Sequence, residues 1–420
     1  MAGPEQVGAA AFFCAAPMLV VLEIIRRLPA RSAIRLRSVC RAWRVVASHP
    51  ALLAVLHRLQ PPAPLLCFSR LACPDRYIQL RDYCVEALDL RSGKPRAVVR
   101  FTDNTYCDHH ESPYGGGAPP TVVNYGEEED NGRDDHLKPQ LMVHASLDGF
   151  LLVSFVDSWY VCNPATRQWA ALPELDYRDV IGLYEHVSSG EYRVLYHTGK
   201  DDEDEEASTC YHVLAVGSRE ARSIGCPISP AAIEDEGLDI GLDCASTSPP
   251  VQLRCNLHWP PQERQGYHIL VFDTEAEVFS WMSPPLRDAD MKLLEMQGKL
   301  GMSVSRMNKA TLDLWRLEDY RNEIWVLEYR IELPAALSQM PDLAYEDWIS
   351  SVVSPEGDVL VQCPHLVLHC DRNGNLLRKF CFPEGAPSVR HAMKENLLSH
   401  AIFLAPKGND GCEPPFFRGL

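Results

Sequence analysis

The stretch CPHLVLHC, residues 363–370, concentrates the side-chain types that ligate metals or act as nucleophiles. Along an extended strand successive side chains alternate between faces, which sets Cys363, His365 and His369 on one side and Cys370 on the other. Four ligands cannot converge on one ion from that arrangement without a break in the strand, so core cysteines and edge histidines are expected. CDHHE at 107–111 has enough ligand types but lies in a Gly-rich stretch, where a solvated turn is expected. The chain has no GxSxG, no phosphate-cradling P-loop and no dinucleotide-binding fingerprint. No catalytic residue, metal site or cofactor is expected. Trp159, Trp169, Trp281, Trp315 and Trp325 recur at matching places along the chain, which predicts aromatic packing between repeated units, with room for one or two to face a ligand.

These residues sit in a chain of 420 residues with 46% hydrophobic and 23% charged residues, ordinary globular values. Charge is divided unevenly. Residues 1–60 hold eight Arg, no Lys and two Glu, a local +6, so the overall −17 leaves −23 on the other 360 residues. A body this acidic repels phosphate backbones and counts against a nucleic-acid partner. Fifteen Cys without a CxxC pair read as reduced thiols and favour the cytoplasm or nucleus. The uncharged run at 7–22 is too short to span a bilayer comfortably and lacks a basic flank, so no membrane or secretory role is expected. Residues 1–15 read as a disordered tail.

Helical periodicity is confined to the start. Leu19, Leu22, Ile25 and Leu28 define one helix, stopped by Pro29, and Ser32 is placed to cap the next. Leu36, Val39, Cys40 and Trp43 fall at i, i+3, i+4 and i+7 of a single helix that Val46 and Ala47 prolong. A fourth helix is predicted over 51–59, followed by a stiff PPAP hinge at 61–64.

Beyond the hinge one pattern recurs six times: an apolar strand, a polar turn, and a second strand often carrying an aromatic. It covers 85–99, 159–173, 211–227, 268–285, 312–327 and 366–380, with turn openers Asp89, Asn163, Gly217, Asp273, Asp319 and Asp371. Intervals of 74, 54, 56, 46 and 52 between openers predict a β-propeller of six to eight blades over residues 61–406, with 407–420 a tail. The fold class is therefore mainly β with a small all-α module in front. The polar segment 102–136 and the acidic run at 201–206 are predicted to be hairpin loops on one rim.

With LEIIRRLP, RSVCRAW and SHP in the segment 16–53, the helical module resembles an F-box, here given the span 16–60. SLDGFLLVSFVDSWYVCNPATRQWAALP, VFDTEAEVFSWMSPP and LDLWRLEDYRNEIWVLEYRIELP resemble the F-box-associated propeller domains abundant in plants. The resemblance implies a substrate-receptor subunit of an SCF-type cullin-RING ubiquitin ligase, with no bond chemistry of its own. It implies docking on a Skp-type adaptor through Pro17, Val20, Ile24, Leu28, Pro29, Leu36, Val39, Cys40 and Trp43, and a propeller that holds an unidentified substrate protein. Independently, some forty-five residues cannot enclose a self-sufficient core, so another protein is expected to supply the missing wall. Arg35, Arg37, Arg41 and Arg44 are read as the solvated side of these helices, able to steer an acidic partner. A non-degradative interaction scaffold and a propeller enzyme are the rival readings.

Overall fold

The computed structural model describes Glu23, residues 30–60, 62–71, 81–103, 141–155, 158–173, 179–198, 210–225, 227, 249–263, 266–287, 291–306, 311–332, 349–352, 357–363, 366–382, 388–403 and 415–417. Among the described residues three short helices precede the strands: α1 (Ala30–Leu36), α2 (Arg41–Ala47) and α3 (Pro50–Leu59). The single helix expected through Leu36, Val39, Cys40 and Trp43 is instead two. Backbone bonds Arg37 N–H to Ile34, Ser38 N–H to Arg35 and Val39 N–H to Leu36 close a tight turn after α1, and the Ser38 hydroxyl takes the Arg35 carbonyl at 2.7 Å. Cys40 is extended at φ −160° and starts a new helix. Ser32 lies inside α1 rather than at its cap. Pro50 stands at the first position of α3, where its missing N–H costs nothing. Of the helix expected over 19–28 only Glu23 is described, and it is helical; the run at 7–22 lies outside the described residues.

Among the described residues the rest is almost wholly strand, arranged as six four-stranded antiparallel sheets. Blades 2 to 6 are continuous in sequence: 141–171, 179–225, 251–282, 291–332 and 349–381. Blade 1 is composite. Its strands Ala63–Leu71, Arg81–Asp89 and Lys94–Asp103 are completed on the inside by Ser388–Met393, with Ala63 opposite Met393 and Leu65 opposite His391. The first strand after the helices and the last described strand thus close the ring within one sheet. Pro64, expected in a hinge, belongs to that strand and pairs with Ala392.

Each of the six recurring phrases is the outer hairpin of one blade. The turn openers act through their side chains. Asn163, Asp273, Asp319 and Asp371 each accept two backbone N–H groups from the residues that follow, and Asp89 accepts the Arg91 N–H and the Ser92 hydroxyl. The residue four beyond the opener then turns left-handed at Gly93, Arg167, Glu277 and Glu323, with φ between 53° and 70°. Blade 3 departs from this scheme: Gly217 does not open its turn but sits inside it at φ +96°, and Ser218 N–H bonds the Ala215 carbonyl.

Every neighbouring pair of blades shares an apolar cluster, from Val85 with Leu151 between blades 1 and 2 round to Leu88 with Val367 between blades 6 and 1. The five tryptophans pack at or beside these seams. Trp259 is fully buried between blades 3 and 4, and its indole N–H reaches the Ile181 carbonyl at 3.3 Å. Phe416 and Phe417, in the expected C-terminal tail, are fully buried between blades 1 and 2.

The segment 102–136 is not a hairpin loop, because its flanks lie in different sheets: Lys94–Asp103 is the outermost strand of blade 1 and Leu141–Leu147 the innermost of blade 2. The run 201–206 does join two paired strands, Glu191–Thr198 and Cys210–Ala215. Strand alternation brings the ends flanking both segments to one rim and the outer-hairpin turns to the other. Residues 104–140 and 199–209 lie outside the described residues.

Candidate functional site: the helical module and the channel mouth

Trp43 anchors the module, 4% exposed, in a cluster with Ala33, Leu52, Leu53 and Leu56. Leu36 and Cys40 pack partly against that cluster. Val39 does not: it is 58% exposed, and Val45, Val55 and Leu59 are also exposed. Thus, of the described residues in the expected docking set, one is core, two straddle the boundary and one is open to solvent. Pro17, Val20, Ile24, Leu28 and Pro29 lie outside the described residues. Two of the arginines are more than solvated. Arg37 Nε donates to the Ala47 carbonyl at 3.2 Å and Arg44 Nε to the Arg37 carbonyl at 2.9 Å, satisfying acceptors at the turn and helix end.

Part of the wall expected from another protein comes from this chain. After the ring-closing strand, residues 394–400 run as a strap without regular secondary structure, and Leu397 enters the Trp43 cluster with Leu398 and Ala165 beside it. Asn396 ties the strap to blade 2: its side-chain amide donates to the Asp148 carbonyl at 2.7 Å, its side-chain oxygen accepts the Leu398 N–H, and its carbonyl accepts from Asn163 at 2.9 Å. A Cβ at Gly149 would approach the Lys394 carbonyl to 2.6 Å, and φ there is +80°, so glycine is required under the strap.

α3 completes the clasp. The Glu395 carbonyl can only accept, so His57 Nδ1 carries a proton toward it at 3.1 Å. Nε2 then faces the Asp148 carboxylate at 3.8 Å. Asp148 raises the His57 pKa above its ordinary value, against the opposing effect of burial. Burial alone would raise the Asp148 pKa, but His57 and the Tyr192 hydroxyl, 3.0 Å away, hold it below the usual carboxylate range. Arg96 pairs with Glu395 on the outer side.

His57 and Arg58 of α3 also overhang the mouth of the central channel, a cavity of about 1140 Å³. Contacts between the first strands of successive blades line the channel itself.

The other polar clusters join elements. Glu277 receives the Tyr184 hydroxyl at 2.6 Å and the Arg193 guanidinium at 2.6 Å, and pairs with Arg222 across the seam of blades 3 and 4. The stretch 363–370 is divided between two strands of blade 6, Val359–Cys363 and Leu366–Cys370, and is not one strand. His369 is buried against the Asp358 carboxylate at 3.1 Å, and Cys370 is sealed in the seam of blades 5 and 6, where burial raises its thiol pKa to about 11. Residues 107–111 and His365 lie outside the described residues. Among the described residues no three or more His, Cys, Asp or Glu side chains are grouped to hold a metal ion.

A helical module clasped onto one rim of a six-bladed propeller defines a two-part architecture. Two family models match the chain, the F-box domain over residues 17–54 and the F-box associated beta propeller domain over residues 132–401. The second match runs through the strap and ends at Ala401. The chain belongs to the F-box proteins that carry an F-box-associated β-propeller. It is 22% identical to the F-box protein At4g19940 of Arabidopsis thaliana over 77% of this chain and 74% of the relative. It is 23% identical to F-box protein At5g49610 of the same organism, over 78% and 82% respectively. Among solved structures it is similar to the β-propeller domain of Myceliophteria thermophila Cps50 (Swd1), at 11% identity and a TM-score of 0.38 over 77% of this chain and 87% of that one.

Proposed function

We propose that this chain is the substrate-receptor subunit of an SCF-type cullin-RING ubiquitin ligase. The F-box docks on a Skp-type adaptor, and through it a cullin-RING scaffold, while the propeller holds the protein to be ubiquitinated. The chain performs no bond chemistry. It raises the effective concentration of a substrate lysine near a ubiquitin thioester carried by other subunits.

The observation that carries the reading is the two-sidedness of the F-box. One side is sealed by Leu397 and the strap, while Val39, Val45, Val55 and Leu59 remain exposed. The adaptor-facing set comprises Leu36, Val39 and Cys40 together with Pro17, Val20, Ile24, Leu28 and Pro29, and Trp43 supports that surface from inside. Exposed Arg35, Arg41 and Arg44 steer an acidic partner onto it. Nothing in this scheme calls for a membrane or nucleic acid; no described helix is long and apolar enough to cross a bilayer. The sites of action are the cytoplasm and nucleus. Co-purification of the full chain with a Skp-type adaptor tests the reading: retention by the wild-type chain and its loss in Val39→Asp are expected, and failure of the wild-type chain to retain the adaptor contradicts it.

A further inference from the structure

Residues 24–60 hold eight Arg and neither Asp nor Glu, so this part of the F-box has no acid of its own to neutralise its helices. Four of these arginines bracket one serine. Arg35 and Arg37 precede Ser38 by three positions and one, and Arg41 and Arg44 follow it by three and six. Ser38 is exposed in the tight turn between α1 and α2, next to Val39 at 58% exposure. Its hydroxyl donates to the Arg35 carbonyl at 2.7 Å, an exposed bond within the turn and not a tie to the core.

The turn gathers cations in space as well as in sequence. Arg44 Nε donates to the Arg37 carbonyl at 2.9 Å, which holds its guanidinium against the peptide that joins Arg37 to Ser38. A guanidinium carries five N–H donors, and this bond uses one of them. A phosphate on the Ser38 oxygen would therefore meet Arg44 beside it and Arg35 three residues back, in the charge-assisted geometry that guanidinium and phosphate favour.

We propose that Ser38 is a phosphorylation site for a protein kinase that reads arginines ahead of its target, and that the phosphate closes the adaptor-facing surface. The site itself stands independently of the ligase reading; the effect on docking rests on it. In the modification the Ser38 Oγ attacks the γ-phosphorus of ATP. The Oγ–P bond forms, the bond to the bridging oxygen breaks to release ADP, and the hydroxyl proton passes to the kinase's own base. An acidic substrate groove fits Arg35 and Arg37 by charge. The product adds about two negative charges, so the +6 of residues 1–60 falls to about +4. It acts on docking in two ways. A phosphate next to Val39 must be stripped of water before an apolar wall can close on that residue. It also engages and offsets the arginines that would otherwise steer an acidic partner.

Treatment of the purified full chain with ATP and the catalytic subunit of cyclic-AMP-dependent protein kinase, an arginine-directed serine kinase, tests the site, with phosphate located by peptide mass spectrometry. Phosphate on Ser38 of the folded chain is expected, and Arg35→Gln should slow its incorporation at least ~10-fold. No phosphate at Ser38, incorporation there only after heat unfolding, or an undiminished rate in Arg35→Gln would overturn the site. Binding to a Skp-type adaptor is then compared before and after treatment. The phosphorylated chain should bind at least ~10-fold more weakly at an unchanged melting temperature. Ser38→Ala, which cannot take the phosphate, should bind equally before and after. Equal binding by the phosphorylated and unmodified wild-type chains, or the same loss on treating Ser38→Ala, would overturn the docking switch. No adaptor binding by the unmodified chain would overturn the ligase reading and the switch together, while the mapped phosphate decides the site by itself.

Discussion

Val39 and Trp43 stand four residues apart and are 58% and 4% exposed, which separates two roles that their common spacing had merged. Trp43→Ala empties the centre of the F-box cluster and is expected to destabilise the chain by about 3–5 kcal/mol, read as a lowered urea midpoint. Val39→Asp puts a charge where water already reaches, so its melting temperature should stay within a few degrees of wild type while adaptor binding falls. The His57–Asp148 contact adds a pH signature. The His57 pKa is raised above 6.5, so its contribution is fully present below 6.5 and is lost as pH rises through the raised value. The Asp148 pKa is depressed below 3.8, so its share is present above 3.8 and is lost as pH falls through the lower value. His57→Gln should therefore narrow the gap in melting temperature between pH 6 and pH 9; an unchanged gap would show that the contact does not couple to folding. At this scale, periodicity placed Leu36, Val39, Cys40 and Trp43 on one face, while the Ser38–Arg35 bond that breaks the helix left no trace in the apolar pattern.

The outer hairpins were legible because five of the six announce themselves twice, by an Asx-type opener and by the apolar strands around it. The inner strands were not. Val251–Leu253 and Ile349–Val352 are three and four residues long, and channel-lining positions need not be apolar. The strap at 394–400 was equally silent, since it has no period and the bonds that tie it to blade 2 are to residues more than two hundred positions away. Turn chemistry is testable where it recurs. Asp273→Ala leaves the N–H groups of Glu275 and Ala276 without their acceptor and should cost about 1 kcal/mol in urea unfolding. Blade 3 lacks an Asx opener, and Gly217→Ala there meets no neighbour within 4 Å but is held at φ +96°, so its cost should come from backbone strain alone.

Ring closure by Ser388–Met393 makes the propeller's integrity depend on a strand that follows all the other blades in sequence. Phe416 and Phe417 extend that dependence by filling the seam of blades 1 and 2. Truncation after residue 403 should therefore lower stability by several kcal/mol, on the order of two buried phenylalanines. A melting temperature equal to that of the full chain would show that the seam does not need them. A propeller of six to eight blades and the presence of two parts were readable from repeat spacing and from the switch between helical and strand texture; that the blades number six was not. The composite first blade and the clasp between F-box and propeller arise from long-range contacts that no local pattern encodes. The clasp gives the molecule one sealed and one open side on its F-box, which is the basis of the receptor assignment. Equilibrium binding of the purified full chain to a Skp-type adaptor, compared between wild type and Val39→Asp with melting temperatures measured in parallel, tests that assignment most directly. Saturable one-to-one binding, weakened at least ~10-fold by Val39→Asp at unchanged melting temperature, is the expected result; adaptor binding by Val39→Asp as tight as wild type, or none by either, would contradict it.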